Sequence, residues 1–292
     1  MLFKGLCTAI VTPFTKDLKE VNYEEFKRLI DFQIEGGAKA IVFFGTTGEA
    51  STLTKQEKIE ITKFAVSYVN GRVAVIVGSG GNNTQEVVEN CKTYEGLGVD
   101  GLLVVTPYYN KASQLGLIKH YTLIADSVNT PIILYNVPGR TGVNLSPKTV
   151  LTLSRHPNIV GIKEASGNLS QIMEIKRLCS DDFALYSGDD GLILPILSVG
   201  GVGVISVLSN ILPKETSEIC KYFFNGEIEK SRKLQLKLSP LINALFSDVN
   251  PIPIKNALNI LGYNVGGLRL PLCLEMTDEN YENLKQTLSN LN

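Results

Sequence analysis

The sequence is poor in the residues that build metal and redox sites. It has only 2 histidines, His120 and His156, and neither has a second histidine or a cysteine at ligand spacing. Its 5 cysteines lie far apart, without the paired spacing of zinc or redox motifs. We therefore expect reduced, mostly buried cysteines and no histidine-based metal site.

Clusters of one charge and long apolar runs are also missing. Lys and Arg total 28 against 29 Asp and Glu, and no basic block occurs, which argues against nucleic acid as a main partner. No apolar run approaches the roughly 18 residues of a membrane span. The first residues lack the charged leader and apolar core of a secretory signal. We expect a soluble, cytoplasmic protein.

Short apolar runs rich in Val and Ile recur along the chain, each followed by a Gly-containing loop and an amphipathic segment. This alternation indicates repeated βα units. The runs are apolar throughout, which is typical of a parallel sheet covered by helices on its outer face. They lie at residues 6–11, 40–44, 73–77, 101–105, 132–135, 159–163, 183–187 and 202–206.

The length of 292 residues leaves open one large α/β barrel with an appendage or two medium domains. Because no Gly-x-Gly-x-x-Gly turn follows the first run, the repeats favour a (β/α)8 TIM barrel over a doubly wound sheet. From Pro213 onward the sequence predicts helices alone. We expect a catalytic barrel at residues 1–225 and a small C-terminal helical domain at residues 226–292, with a boundary set to within about ten residues.

The reacting groups of such a barrel lie where strands end, at the carboxyl face. The sixth run ends at Lys163, an amine in an apolar segment where burial disfavours its charged form. A neutral amine is the form that attacks a ketone. The alternative is a lysine whose long stem carries the ammonium group to water.

The fifth run ends at Tyr135, on the strand next to that of Lys163. Its phenol could pass protons to and from a carbinolamine, or it could be a packed aromatic side chain with a satisfied hydroxyl. In the loop that follows, Arg140 could bind a substrate carboxylate through two parallel hydrogen bonds. The alternative for Arg140 is a solvated loop residue.

The second run leads into the turn Gly45–Glu49, whose glycines permit close backbone approach. The hydroxyls of Thr46 and Thr47 and the amides of this turn could bind a carboxylate or relay a proton. As a phosphate-binding loop the turn is weak, because it lacks the Gly-Lys-Ser/Thr ending.

The fourth and seventh runs end in further polar groups. Tyr108 and Tyr109 are adjacent, so their side chains point apart and at most one faces the site. Asp189 and Asp190 follow the seventh run and permit a metal ion. Since no histidine supports them, we expect no catalytic metal.

Taken together, these segments resemble the dihydrodipicolinate synthase family, also called 4-hydroxy-tetrahydrodipicolinate synthases, over essentially the whole chain. The resemblance implies that pyruvate condenses with L-aspartate 4-semialdehyde through a lysine Schiff base to give 4-hydroxy-tetrahydrodipicolinate. This reaction is the first committed step of diaminopimelate and lysine biosynthesis, and it implies no cofactor. The matching stretches are residues 8–14, 45–49, 106–110, 135–138, 161–165 and 187–190.

The resemblance also implies roles for individual residues. Lys163 would be the lysine that forms the Schiff base with pyruvate. The proton relay would consist of Tyr135, Thr46 and Tyr109. By the same resemblance, Arg140 would bind the carboxylate of aspartate semialdehyde. Thr47 and the backbone at Gly188 and Ile205 would hold pyruvate and shape the pocket. Because the family is usually a homotetramer, we expect a dimer of dimers in which Tyr109 enters a partner's site.

Some family members have an inhibitory lysine site at the tight dimer interface, and the match to it is partial. The residues that fit are Asn82, Glu86 and Tyr108. Ala50 replaces a serine, and Lys55 and Lys58 stand where lysine-sensitive relatives carry histidines. Because extra ammonium groups repel a cationic amino acid, the sequence predicts weak or absent inhibition by lysine.

Two other functions stay open. One is another pyruvate-dependent class I aldolase, such as N-acetylneuraminate lyase or a 2-keto-3-deoxy-gluconate aldolase. Arg140 and the pair Tyr108 and Tyr109 argue against it. A short semialdehyde acid needs a group that binds its carboxylate, whereas a sugar chain needs a row of hydroxyl partners. The other is a non-catalytic sensor barrel, against which the complete set of candidate residues argues.

Overall fold

A computed structural model describes residues 1–290 of the chain. Eight parallel strands close into a barrel in which each strand pairs with the next in sequence and the last pairs with the first. The predicted TIM barrel is confirmed, and each strand lies within two residues of its predicted bounds. The strands are β1 (Gly5–Ala9), β2 (Ala40–Phe43), β3 (Ala74–Gly78), β4 (Gly101–Val105), β5 (Ile132–Asn136), β6 (Ile159–Glu164), β7 (Ala184–Ser187) and β8 (Gly203–Ser206).

The described residues contain 12 α-helices and two short 3-10 helices. The α-helices are α1 (Tyr23–Glu35), α2 (Lys55–Val69), α3 (Thr84–Glu95), α4 (Gln114–Asp126), α5 (Pro138–Thr141), α6 (Pro147–Leu153), α7 (Leu169–Leu178), α8 (Ile193–Ser198), α9 (Pro213–Phe224), α10 (Ile228–Leu245), α11 (Ile252–Ile260) and α12 (Asp278–Ser289). The 3-10 helices are Asp190–Leu192 and Leu208–Asn210. None of the helices in residues 1–290 is long and apolar enough to cross a membrane.

Local sequence signals explain where several helices begin. At α2, the hydroxyl of Thr54 accepts a hydrogen bond from the N–H of Glu57, and the Glu57 carboxylate accepts one from the N–H of Thr54. This reciprocal pair satisfies two amides that a helix start leaves free. At α6, Ser146 caps the helix and Pro147 takes the first position, where the missing N–H does no harm.

The amino-terminal end of the barrel is closed by aromatic side chains. The rings of Phe3 and Tyr186 stack with centroids 4.2 Å apart, and the Tyr186 hydroxyl donates to the carbonyl of Phe3 at 2.8 Å. Small and branched residues fill the interior above them, including Cys7, Ala40 and Ile205. The carboxyl end is therefore the end at which a ligand can enter.

The C-terminal helices return to the carboxyl end of the barrel. The chain turns between α9 and α10 at Gly226, which has a positive φ of 80°. α10 packs along α9, and α12 packs along α10. Further on, the carbonyl of Val265 accepts a hydrogen bond from the N–H of Phe14 in the loop after β1. The division of the chain into residues 1–225 and 226–292 remains our proposal, and residues 291 and 292 lie outside the described part.

Candidate active site

Lys163 and Tyr135 lie side by side at the carboxyl end of the barrel. Parallel pairing of β5 and β6 makes them direct partners in the sheet register. The Nζ atom of Lys163 is 4.3 Å from the centroid of the Tyr135 ring. The two residues are only 6% and 7% exposed, so the amine and the phenol are shielded from bulk water. A lysine that carries its ammonium group into solvent is excluded at this position.

A cavity of about 660 Å³ opens above this pair. Its wall combines the ends of barrel strands, the turn after β2 and one face of α10. The candidate residues Thr46, Thr47, Arg140 and Gly188 lie in the wall with Lys163 and Tyr135. α10 contributes Ser239, Ile242 and Asn243 to the wall, and Phe246 follows at the C-cap of that helix; sequence reasoning singled out none of these residues. The cavity thus brings together residues from strand ends and from the C-terminal helices.

Gly188 provides the space beside the lysine. A Cβ atom at this position would lie 3.0 Å from both Cγ and Cε of Lys163 and 2.8 Å from Cβ of Ala165. Its N–H donates to the carbonyl of Glu164 at 2.8 Å, which ties the loop after β7 to the end of β6. A side chain at residue 188 would therefore push against the stem that carries the Lys163 amine.

Glu164 follows Lys163 on the strand, so its side chain points away from the barrel interior. The side-chain amide of Asn136 lies 3.2 Å from both Glu164 carboxylate oxygens, and the N–H of Ser166 donates to Oε1 at 2.8 Å. Burial raises the pKa of Glu164, while hydrogen bonds from Ser166, Asn136 and Gln171 oppose that change. Sequence reasoning missed this role: Glu164 fixes the end of the strand that carries Lys163.

Asp190 serves the neighbouring strand ends in a similar way. Its Oδ2 accepts hydrogen bonds from the N–H groups of Val207 and Leu208, each at 2.9 Å. Burial raises the pKa of this carboxyl, while a hydrogen bond from Ser206 opposes that change. Oδ1 of Asp189 accepts from the N–H of Gly191 at 2.8 Å. These two aspartates are used to hold backbone amides of the loops after β7 and β8.

Thr46 and Thr47 lie in a tight turn after β2. The N–H of Gly48 donates to the carbonyl of Gly45 at 3.1 Å, and the N–H of Glu49 donates to the carbonyl of Thr46 at 3.2 Å. Thr47 is buried and its Oγ1 accepts a hydrogen bond from the side chain of Asn250 at 3.0 Å. Within residues 1–290, no hydrogen bond joins the hydroxyls of Thr46 and Tyr135, although both residues line the cavity.

Arg140 lies in the short helix α5 at the cavity entrance. Its guanidinium donates from Nη2 to the carbonyl of Asn250 at 3.0 Å, and its side chain is otherwise open to solvent. Arg140 is therefore free to meet a carboxylate that enters from above. Asn250 contacts both Arg140 and Thr47, and sequence reasoning missed it because its only sequence signal is the break before α11.

Two sequence-predicted residues lie outside the wall of this cavity. Tyr109 is 90% exposed in the loop after β4 and has a positive φ of 73°. Ile205 is buried in the barrel interior, where it is the sheet partner of Cys7 on β1. Within one chain, the structure thus joins six of the eight predicted residues and leaves the Tyr109 side chain facing outward.

A second cavity of about 550 Å³ lies on the other side of the turn after β2. It shares Thr46, Tyr135, Arg140 and Asn250 with the first cavity. Its far wall includes residues predicted from the partial match to a lysine site, namely Ala50, Lys58 and Tyr108. Burial lowers the pKa of the Lys58 ammonium group, and the nearby Glu86 carboxylate opposes that change.

The model of the Dihydrodipicolinate synthetase family matches residues 2–291 of the sequence. The chain belongs to this family. A 4-hydroxy-tetrahydrodipicolinate synthase of Clostridium novyi (strain NT) is 52% identical over 291 residues, which covers 100% of this chain and 97% of the relative. The comparison confirms the resemblance that the sequence motifs indicated.

Solved structures agree with this assignment. A dihydrodipicolinate synthase from Cyanidioschyzon merolae, crystallised with lysine bound, has a TM-score of 0.95 and 43% identity, and the match covers 99% of this chain and 98% of that one. A structure described as a monomeric dihydrodipicolinate synthase variant has a TM-score of 0.96 and 42% identity, with coverage of 99% and 96%. The fold of this family therefore persists in a monomer.

Proposed function

We propose that this protein is a 4-hydroxy-tetrahydrodipicolinate synthase, a lyase that condenses pyruvate with L-aspartate 4-semialdehyde in diaminopimelate and lysine biosynthesis. One observation carries the proposal. A buried lysine amine lies 4.3 Å from the ring of a tyrosine at the open end of a closed barrel. Family membership and the names of full-length relatives support the choice of this reaction over another pyruvate-dependent aldolase.

In the proposed reaction, Nζ of Lys163 attacks C2 of pyruvate to give a carbinolamine. Loss of water gives the protonated Schiff base, and removal of a proton from the methyl carbon gives an enamine. The enamine carbon attacks the aldehyde carbon of aspartate semialdehyde, and the new alkoxide takes up a proton. The amino group of the second substrate then displaces Lys163 from the imine carbon, which closes the ring and frees the enzyme.

The residues around Lys163 supply the remaining functions in this proposal. Tyr135, whose ring lies against the amine, transfers protons to and from the carbinolamine, with Thr46 and a partner's Tyr109 completing the relay. Thr47 and the backbone at Gly188 and Ile205 hold pyruvate. Arg140 binds the carboxylate of the aldehyde substrate at the cavity entrance.

The proposed reaction uses the amine of Lys163 in place of a cofactor or metal, and the proposed location is the cytoplasm. We also propose the dimer-of-dimers homotetramer, since Tyr109 is 90% exposed in the single chain and lines neither of the two cavities described above. Replacing Tyr109 with Phe should then lower turnover although it lies outside the site of its own chain. Sedimentation velocity measures the assembly directly, and a fully active monomer would contradict this proposal.

We propose that lysine inhibits this enzyme weakly or not at all, although a relative binds lysine. Lys58 lines the second cavity, where its ammonium group would repel the side chain of a bound lysine. Half-maximal inhibition should therefore need lysine at about 1 mM or more, measured in the coupled assay. Replacing Lys58 with His should lower that concentration, and potent inhibition of the unmodified enzyme would show the proposal to be wrong.

Borohydride trapping and a coupled assay test the proposed function. With pyruvate and borohydride, the protein should gain the mass of the reduced pyruvate adduct on Lys163. Pyruvate and aspartate semialdehyde should then give product, whereas N-acetylneuraminate should not be cleaved. Absence of the adduct would favour the non-catalytic sensor barrel. Cleavage of N-acetylneuraminate would favour a different pyruvate-dependent aldolase, N-acetylneuraminate lyase.

A further inference from the structure

The turn that carries Thr46 and Thr47 is held by the C-terminal part of the chain. Its last residue, Glu49, is completely buried, and Oε1 of Glu49 lies 2.5 Å from Nζ of Lys255 on α11. An ammonium group and a carboxylate at this distance, both without solvent exposure, form a buried ion pair. Oε2 accepts a hydrogen bond from the N–H of Arg269 at 3.1 Å. Both oxygens of Glu49 thus meet groups from the C-terminal segment.

Lys255 is committed to this contact. Its side chain is also completely buried, its Nζ donates to the carbonyl of Gly267 at 2.8 Å, and Nζ lies 4.3 Å from the centroid of the Phe14 ring. Burial lowers the pKa of Lys255 to about 8, and the Glu49 carboxylate opposes that change. A buried cation with so few other partners depends on its counter-ion for compensation.

Arg269 extends this contact to the first turn of α2. Its guanidinium donates to both carboxylate oxygens of Glu57 at 2.7 and 2.9 Å, and to the carbonyl of Thr52 at 3.3 Å. Its Cζ atom also lies 4.3 Å from the centroid of the Phe14 ring. The C-terminal segment therefore contacts both the turn after β2 and the helix α2 that follows it.

Glu49 is coupled directly to the candidate binding residues. Its N–H donates to the carbonyl of Thr46, and its φ of 54° lies in the left-handed region that a residue with a side chain adopts only when its surroundings hold it there. The segment that begins α11 also supplies Asn250, which donates to the hydroxyl of Thr47. One short segment thus fixes both threonines.

We propose that Glu49 and Lys255 are positioning residues, whose ion pair sets the turn so that Thr46 and Thr47 meet the keto acid bound at Lys163. This inference rests on the proposed function, because that function assigns these threonines to pyruvate and the proton relay. Tyr135 lies on β5 and Lys163 on β6, so neither depends on the pair. Removing the pair should therefore raise the pyruvate concentration needed for half-maximal adduct formation.

A purely structural pair would affect folding alone, and a double variant separates the two roles. Replacing both charges by apolar side chains of similar size, in Glu49→Leu/Lys255→Met, avoids the stranded charge of a single replacement and is often neutral for stability. The conservative variant Glu49→Gln keeps the shape of the side chain and removes its charge. Asp31→Asn is a control, because it removes the carboxylate charge that Tyr68 and Arg72 contact on the outside of the barrel, and none of these residues lines the cavity.

The experiment measures borohydride-trapped adduct against pyruvate concentration, kcat and KM for both substrates, and melting by circular dichroism. We expect the double variant to remain folded and to need about tenfold more pyruvate, with kcat lowered by about tenfold. The KM for aspartate semialdehyde should change by less than about threefold. Glu49→Gln should lie between the double variant and the unmodified enzyme, and Asp31→Asn should change stability only.

Each other outcome is decisive. The positioning role would be overturned if the folded double variant had the pyruvate dependence of the unmodified enzyme. If the double variant does not fold, the same result for a folded Glu49→Gln variant would overturn it. An equal loss for both substrates would also overturn it. If the unmodified protein forms no adduct, the proposed function itself is wrong, and the inference falls with it.

Discussion

The two sides of the candidate active-site cavity are built in different ways. On one side, Lys163 and Tyr135 lie on neighbouring strands, and the sheet register alone makes them partners. On the other side, Thr46 and Thr47 lie in a turn that Asn250 and Lys255 hold from the C-terminal part of the chain. The first arrangement follows from the barrel itself, whereas the second requires a segment outside its strands.

This difference separates the covalent step from the geometry of binding. Strand residues at the mouth of a closed barrel are fixed by hydrogen bonds that most substitutions leave intact. A turn fixed by side chains can shift when a single contact is lost, and a small misplacement is enough to slow a reaction greatly. Loss of the amine on the strand side should abolish the chemistry, whereas variants on the turn side should weaken it.

The largest effect is expected on the strand side, from Lys163→Ala. Without the amine no Schiff base forms, so the adduct should disappear and turnover should fall by about 10⁴-fold or more, although the protein stays folded. Mass spectrometry after borohydride treatment and the coupled assay measure both. An adduct on another lysine, with most of the activity retained, would show that the covalent step does not depend on Lys163.

Arg140→Ala should give the next largest effect. The guanidinium lies at the entrance, so its loss should lower kcat/KM for aspartate semialdehyde by about 10²- to 10³-fold and leave the pyruvate adduct largely intact. Arg140→Lys should recover little, because an ammonium group cannot bind a carboxylate through two parallel hydrogen bonds. Equal loss of adduct formation and aldehyde use would contradict the role assigned to Arg140.

Gly188→Ala tests how closely the strand side is packed. The added Cβ would lie 3.0 Å from Cγ and Cε of Lys163, which is too close for an undisturbed lysine stem. The rate of adduct formation should fall by about 30- to 100-fold. Gly116→Ala on α4 is the matched control, since the nearest atom to its added Cβ would be 3.5 Å away. An unchanged rate in the first variant would show that the stem has room to move.

The strand side is also the part that sequence could predict. Parallel βα repeats place the ends of consecutive strands side by side, so the end of a fifth and a sixth apolar run had to bring Tyr135 next to Lys163. The spacing of turn residues likewise placed Thr46, Thr47 and Arg140 at the mouth. These inferences need only the repeat and the direction of each strand.

The turn side could not be predicted in the same way. The contact between Glu49 and Arg269 joins residues 220 positions apart, and no periodic pattern relates them. A positive φ at Glu49 gives no sequence signal, because the residue is not glycine. The one available sign was Lys255 itself, a lysine in the otherwise apolar start of α11. For Tyr109, the single chain shows an exposed side chain, and its place in a partner's site stays a prediction.

The smallest effect concerns the pH dependence of stability on the turn side. Burial holds the pKa of Lys255 at about 8 in the folded protein, against 10.5 for an ordinary lysine. Between these values the unfolded chain binds the proton that the folded chain has released, so the contribution of this group to the free energy of unfolding increases as the pH rises. This contribution is complete above the unfolded-state pKa of 10.5, and it is lost as the pH falls through the folded-state pKa of about 8.

Urea unfolding of the unmodified protein and of Glu49→Leu/Lys255→Met measures this contribution. From about pH 7.5 to about pH 9.5, the unmodified protein should gain about 1 to 2 kcal/mol relative to the double variant. Several protein concentrations separate this gain from any change in assembly. Parallel pH profiles would mean that Lys255 titrates as an ordinary lysine, and the turn would then be held by Arg269 and Asn250 without a buried charge that senses pH.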